Sequence, residues 1–244
     1  MVILSFFALC CGDFVVMNIL GIETSSRVAS VAVACGDRIF EVTGPSDAQH
    51  SVSLIDDCRK AAEKAGIRIR DFDRIAVGLG PGSFTGIRLG CTAAKSLAWV
   101  LDVPAGGVST FQALAARVVS ETDTDGRTVY IIGDARKNEL FAGEYRSSEE
   151  GVIEDFLGVV RLEEAARFFR QGSIVAGPGI RTVKETLVGV EWADIKVPTA
   201  SFVISETIRT SVFKPAVESE IEPLYLKPAY VNLSFLPHDA TKNL

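Results

Sequence analysis

Histidine is almost missing from this chain of 244 residues: His50 and His238 are the only two, and they stand far apart. No HxxH or HExxH zinc site can be written from them. Cysteine is scarce as well. Cys10, Cys11, Cys35, Cys58 and Cys91 are odd in number and form no CxxC pair, which fits a reduced, cytoplasmic protein better than a disulfide framework. Basic residues are outnumbered, 25 Lys and Arg against 31 Asp and Glu, for a net charge of −6. That balance argues against a protein that grips nucleic acid through bulk positive charge, and leaves RNA recognition to a partner or a small local patch. No apolar run reaches the roughly 18 residues of a transmembrane helix.

What is present is a large apolar content, 48%, enough for one large domain or two lobes. The stretch 1–16, MVILSFFALCCGDFVV, lacks the basic start of a signal peptide, and Met17 opens a second well-formed start. It is read as an extension outside the fold. From there the pattern predicts strands at 19–23, 28–34 and 38–43, joined by a polar turn and a Gly36-Asp37 reversal, then a helix over 50–65 stopped by Gly66. A strand at 75–79 runs into Gly80-Pro81-Gly82-Ser83-Phe84-Thr85-Gly86, after which helical spacing resumes over 87–101. Ser109 and Gln112 form a capping-box pair opening a helix to about 119.

Beyond the polar stretch 122–126 the plan begins again. Strands at 129–133, ending in Asp134, and 139–145 parallel 19–34. The strand 173–176, the Gly177-Pro178-Gly179 turn and a helix from 182 parallel the first glycine loop. Matched order predicts an internal duplication: a lobe over 17–121, a second, degenerate lobe over 122–230, and a loose tail over 231–244. Further helices are expected at 163–171 and 200–210, with an extended segment from Ile221 that crosses back over the fold.

The glycine loop fails the common phosphate-loop patterns. No lysine follows Gly82 or Gly86 as a Walker A motif requires, the last position of GxGxxG is Thr85, and Pro81 breaks a GxSxG elbow. Two readings stay open. Gly80, Gly82 and Gly86, with the hydroxyls of Ser83 and Thr85, face a phosphate through free amides, or the glycines serve only the geometry of a turn. Glu23 and Asp134, each at a strand end, are candidates to hold a hydrated cation between the lobes, or are solvated charges. The helix over 87–101 carries only Arg88 and Lys95 as charges and has two apolar stripes, Ile87, Gly90, Ala94, Leu97 and Leu101 on one, Leu89, Ala93 and Val100 on the other. Such a helix needs cover on two sides, from its own domain or from a partner.

Five blocks together, ILGIETSSRVASVAV at 19–33, GPGSFTGIRLG at 80–90, GVSTFQALA at 107–115, GDARKNELF at 133–141 and PLYLKP at 223–228, resemble the TsaB (YeaZ) family. The resemblance implies an α/β protein of duplicated actin-like and sugar-kinase ATPase fold, two lobes each with a mixed β-sheet and helices. It implies no catalytic residues and no metal. Family relatives called TsaD transfer a threonylcarbamoyl group to N6 of the adenosine 3′ of the anticodon, using an HxxxH metal pair that this chain does not have. Arg27 and Val28 stand here where a catalytic relative keeps acidic groups. The resemblance therefore implies a noncatalytic subunit that pairs with TsaD, works alongside TsaE and the TsaC or Sua5 synthase, meets tRNA only through that complex, has no membrane role and can form a homodimer. The contact carried over is Ile55, Cys58 and Ala62 of the first helix with Ile87, Gly90, Ala94 and Leu97 of the second, so that Ala94→Arg separates a scaffold from its rivals. No resident cofactor is expected, and ATP or ADP binds weakly at most or at the partner interface. The alternatives are a small actin-fold ATPase or kinase acting alone, a metallopeptidase, against which the missing histidine pair argues, and a stand-alone homodimer.

Overall fold

A computed structural model describes residues 17–44 and 50–227, with side chains from 54 onward in the second segment. The expected extension 1–16, the tail 231–244 and Pro228 lie outside the described residues. Two five-stranded sheets carry the architecture. In the first, β1 (Asn18–Glu23), β2 (Ser30–Cys35) and β3 (Arg38–Thr43) form an antiparallel meander, and β4 (Arg74–Gly78) and β5 (Ala105–Val108) extend it in parallel on the other side of β1. The order is β3-β2-β1-β4-β5. The second sheet is built from β6 (Val129–Asp134), β7 (Glu139–Ser148), β8 (Gly151–Arg161), β9 (Ile174–Ala176) and β10 (Glu191–Trp192). Its order, β8-β7-β6-β9-β10, and its strand directions repeat those of the first. The two glycine turns follow β4 and β9, which hold the same place in the two sheets.

Parallel neighbours need a crossover, and helices supply it. They are α1 (His50–Ala65), α2 (Phe84–Leu101), α3 (Thr110–Glu121), α4 (Leu162–Phe168), α5 (Ile180–Val183) and α6 (Ala200–Thr210). The central strands are apolar at consecutive positions because both faces are covered. Leu20 and Ile22 of β1 point to Leu54, Cys58, Ala61 and Ala62 of α1 and to Ile87, Cys91, Ala94 and Ala98 of α2, whereas Ile19 points the other way, to Val203 and Ile204 of α6. In β6, Tyr130 and Ile132 face α4 and α5 while Val129 and Ile131 face Phe111, Leu114 and Val118 of α3. The helices do not sort by position in the chain. Helix α3 packs on the second sheet and α6, from near the C-terminus, on the first, and the two touch each other. Gln112 Nε2 donates to the buried carboxylate of Glu206 at 2.8 Å, and Arg209 pairs with that carboxylate at 2.5 Å while donating to Glu150 O in the β7–β8 hairpin.

Three strand expectations differ from the structure. β5, β8 and β10 are absent from the sequence reading: β5 contains two glycines in four residues, β10 is two residues long, and β8 carries a bulge that breaks its alternation. Glu144 pairs with Phe156 and Tyr145 with Glu154, so Asp155 is the extra residue, and Arg146 neutralises it at 2.5 Å. Helix α2 starts earlier than 87 because Ser83 caps it, accepting from Gly86 N at 3.3 Å. The helix expected from 182 is the single turn α5. Ser109 does cap α3, at 3.3 Å from Gln112 N, but the Gln112 side chain turns to Glu206 in place of closing the box.

Helix α2 lies so close to the β1–β2 turn that a Cβ on Gly86 would overlap Thr24 O and one on Gly82 would overlap Ser25 O, both backbone atoms with nowhere to move. Gly86→Ala is therefore expected to cost about 3 kcal/mol, the upper end of what overpacking does, whereas Ser96→Ala on the exposed face of α2 leaves stability unchanged. Urea denaturation of the two variants checks this.

Candidate functional site

Glu23 closes β1 and is fully buried, with 0% of its surface exposed. Its Oε1 accepts from Ser25 N at 2.6 Å and its Oε2 from Thr110 Oγ1 at 2.8 Å. Thr110 Oγ1 accepts in turn from Gly80 N at 3.2 Å, and Thr110 N donates to Gly80 O at 2.8 Å. Burial raises the Glu23 carboxyl above its ordinary value, and the hydrogen bonds from Ser25 and Thr110 only partly offset it. Neither expectation for Glu23 describes this group. It is neither solvated nor open to a cation: it is a fastening between β1, the glycine loop and α3.

The rest of the glycine loop is likewise occupied by its own chain. Ser83 N donates to Ser25 O at 2.7 Å and Thr24 Oγ1 donates to Gly86 O at 2.7 Å. The amides of Gly80, Ser83 and Gly86 have acceptors within the chain, so these three glycine-loop groups are held by the turn itself. Thr85 is exposed in the first turn of α2. Asp134 is exposed, and its Oδ1 accepts from Arg136 N at 2.7 Å, which begins a turn in which Arg136, Lys137 and Asn138 all have positive φ, 62°, 53° and 62°. Among the described residues no hydrogen bond or ion pair joins the Asp134 side chain to Glu23 or to the first glycine loop. The second turn packs as the first does: Gly179 N donates to Ile132 O at 2.9 Å, beside Gly133.

The segment that does connect the two loops is the crossing from Ile221. Ile221 is buried in the first core, Leu224 N donates to Leu79 O at 2.8 Å, and Tyr225 stacks on Phe84 with ring centroids 4.7 Å apart. Lys227 then donates to Ala135 O at 3.1 Å and pairs with Glu139, in the hairpin after Asp134. Thr110 and Lys227 were not among the expected site residues. The signal for the strap was its two prolines and alternating apolar residues; for Thr110 there was none.

The expected partner residues need correction. Cys58, Ala62, Ile87 and Ala94 are at most 1% exposed, Gly90 is buried against Thr24, and Leu97 is half-buried. That stripe meets the chain's own sheet, and Ala94→Arg would break the core before it tested any partner. Of the seven only Ile55 is open, at 52%. The open side of α2 is the other stripe, where Leu89 and Ala93 are half-buried and Val100 and neighbouring Trp99 are 82% and 78% exposed. Burial pushes the thiols of Cys58 and Cys91 up to about 12, which leaves them inert. Among the described residues no group of three or more His, Cys, Asp or Glu could hold a metal ion, and no helix is long and apolar enough to cross a membrane.

Residues 45–188 match the family described as TsaD: tRNA N6-adenosine threonylcarbamoyltransferase. A Bacillus subtilis protein named tRNA threonylcarbamoyladenosine biosynthesis protein TsaB is 36% identical over 146 residues, 57% of this chain and 58% of its own length. The chain thus spans little more than half of that relative. A protein of the same name from Buchnera aphidicola is 26% identical over 76% of this chain and 90% of its own. The solved structure of YeaZ from Pseudomonas aeruginosa superposes with a TM-score of 0.74 at 25% identity, covering 86% of this chain and all of the other. The two repeated sheets, with one strand order and helices on their faces, form an α/β fold shared with the YeaZ structure.

The raised Glu23 carboxyl has a stability signature. The native state keeps a proton that the unfolded chain releases above pH 4.5, so wild-type stability falls as pH rises from there towards the native value. Glu23→Gln keeps an acceptor for Ser25 and removes the titration. Melting temperatures between about pH 3 and pH 7 are expected to move in favour of the variant as pH rises, and a constant difference would count against this account.

Proposed function

Because this chain belongs to the TsaD family, in its TsaB (YeaZ) group, we propose that it is a noncatalytic partner of TsaD in making tRNA threonylcarbamoyladenosine. The modified position is N6 of the adenosine 3′ of the anticodon in tRNAs reading codons that begin with A. The supporting observation is a contrast between two faces of one helix. At the N-terminus of α2 the Ser83 and Gly86 amides bond within the chain's own turn, and Glu23 is buried behind them. Val100 at the end of the outer stripe and Trp99 beside it are exposed, and Ile55 is exposed on α1. An apolar ridge of that kind is characteristic of a binding surface.

In this reading α1 and the outer stripe of α2 receive TsaD, and the same ridge supports a homodimer when TsaD is absent. TsaE and the TsaC or Sua5 synthase act in the same pathway, tRNA arrives through the complex, no resident cofactor takes part, and the site of action is the cytoplasm. The lobe boundaries proposed are 17–121 and 122–230, with α3 and α6 exchanged across them.

The full chain mixed with TsaD from the same source is expected to co-elute and to restore threonylcarbamoylation of tRNA. Val100→Arg and Trp99→Arg, both at exposed positions, should keep the wild-type melting temperature and weaken co-elution at least tenfold, about 1.4 kcal/mol. Unchanged complexes with both variants would overturn the assignment of the ridge. No complex at all, together with ATP hydrolysis by the chain alone, would favour the small actin-fold ATPase.

A further inference from the structure

Between α2 and the C-terminal strap lies a cavity of about 420 Å³ that no part of the partner reading uses. Its α2 wall presents Arg88, Thr92 and Lys95, spaced so that all three share a face of the helix. Phe84 and Tyr225 form its aromatic end and Glu222 stands in the strap wall. The Arg88 guanidinium lies over the Phe84 ring at 5.3 Å from its centroid, and Phe84 stacks on Tyr225 at 4.7 Å with planes 26° apart. Tyr225 is 43% exposed at the end of this column. Among the described residues neither Arg88 nor Lys95 makes an ion pair, with Glu222 or with any other carboxylate. Two cations that form no ion pair among the described residues thus stand beside a partly exposed tyrosine in an otherwise acidic chain.

We propose that this cavity is a subsite for one nucleotide of single-stranded RNA, its base stacked on Tyr225 and its phosphate held between Arg88 and Lys95. Stacking platforms combined with local positive charge are how proteins hold unpaired nucleotides without reading sequence. An acidic peptide would satisfy the cations but leave the ring column without a flat partner. The cavity size suits a single nucleotide. This inference rests on the tRNA-modification reading for its source of RNA, but not on the α1–α2 ridge. It also supplies the small local patch that a net charge of −6 otherwise denies.

The test is fluorescence anisotropy of a labelled anticodon stem-loop RNA titrated with the full chain, at about 50 and 200 mM salt. Lys95→Gln is expected to lower the slope of log affinity against log salt by about one, and Tyr225→Leu to weaken binding at least fivefold. Glu222→Gln should tighten it, since it removes the one negative charge in the wall. All three variants should co-elute with TsaD as the wild type does, so a failure of the subsite is separate from a failure of the scaffold reading. RNA binding that is equal in wild type and variants overturns the proposal. So does tighter binding of free AMP, or of a polyglutamate peptide, than of the RNA. RNA binding that responds to the variants in a chain that fails to pair with TsaD leaves the subsite standing and removes the scaffold.

Discussion

A carboxylate taken wholly out of water must find donors inside the protein, and the position of nearly everything around the first glycine loop follows from how Glu23 finds them. The Ser25 amide fixes the β1–β2 turn, and the Thr110 hydroxyl fixes the start of α3. Thr110 also receives the Gly80 amide and so sets the path of the loop. Behind it, Gly78 has no room for a side chain because Glu23 fills the space. Loop and turn then meet backbone to backbone at Gly82 and Gly86, and the direction of α2 is determined. The ridge of Trp99 and Val100 thus owes its orientation to a group buried at the other end of the helix. Loss of either donor would leave a buried oxygen unsatisfied, which costs more than the hydrogen bond itself contributes.

Short-range patterns were sufficient for much of the frame. The helices α1 and α6 and strand β3 fall where alternation, periodicity and turn residues place them, and the two glycine turns sit at equivalent points of two sheets with one strand order. What local pattern could not carry was the choice of face. Both stripes of α2 are apolar, and its small residues read equally well as an approach to a partner or to the chain's own turn; Gly90 against Thr24 decides for the latter. Glu23 looked solvated at a strand end because the residue that seals it, Thr110, is 87 positions away. Strand β8 was hidden by its own bulge: with Asp155 inserted, residues on either side change faces and the alternation dissolves.

The exchange of α3 and α6 gives the two sheets a common middle layer. Glu206, 2% exposed on a helix of the first sheet, is neutralised by Arg209, which also holds the hairpin of the second. Gln112 adds a neutral donor from α3. With Glu206 buried and Arg209 only partly so, such a pair contributes less to stability than to fixing one arrangement, since desolvation consumes much of the attraction. Here the arrangement fixed is that of the two halves.

The strap acts on the same junction from outside. It adds to the first sheet's loop at Leu79, stacks on Phe84 and ends with Lys227 in the second sheet's hairpin, so it bridges the two halves a second time. Any displacement of the first sheet's loop from the second sheet's hairpin therefore has to break the Leu224–Leu79 or the Lys227–Ala135 hydrogen bond.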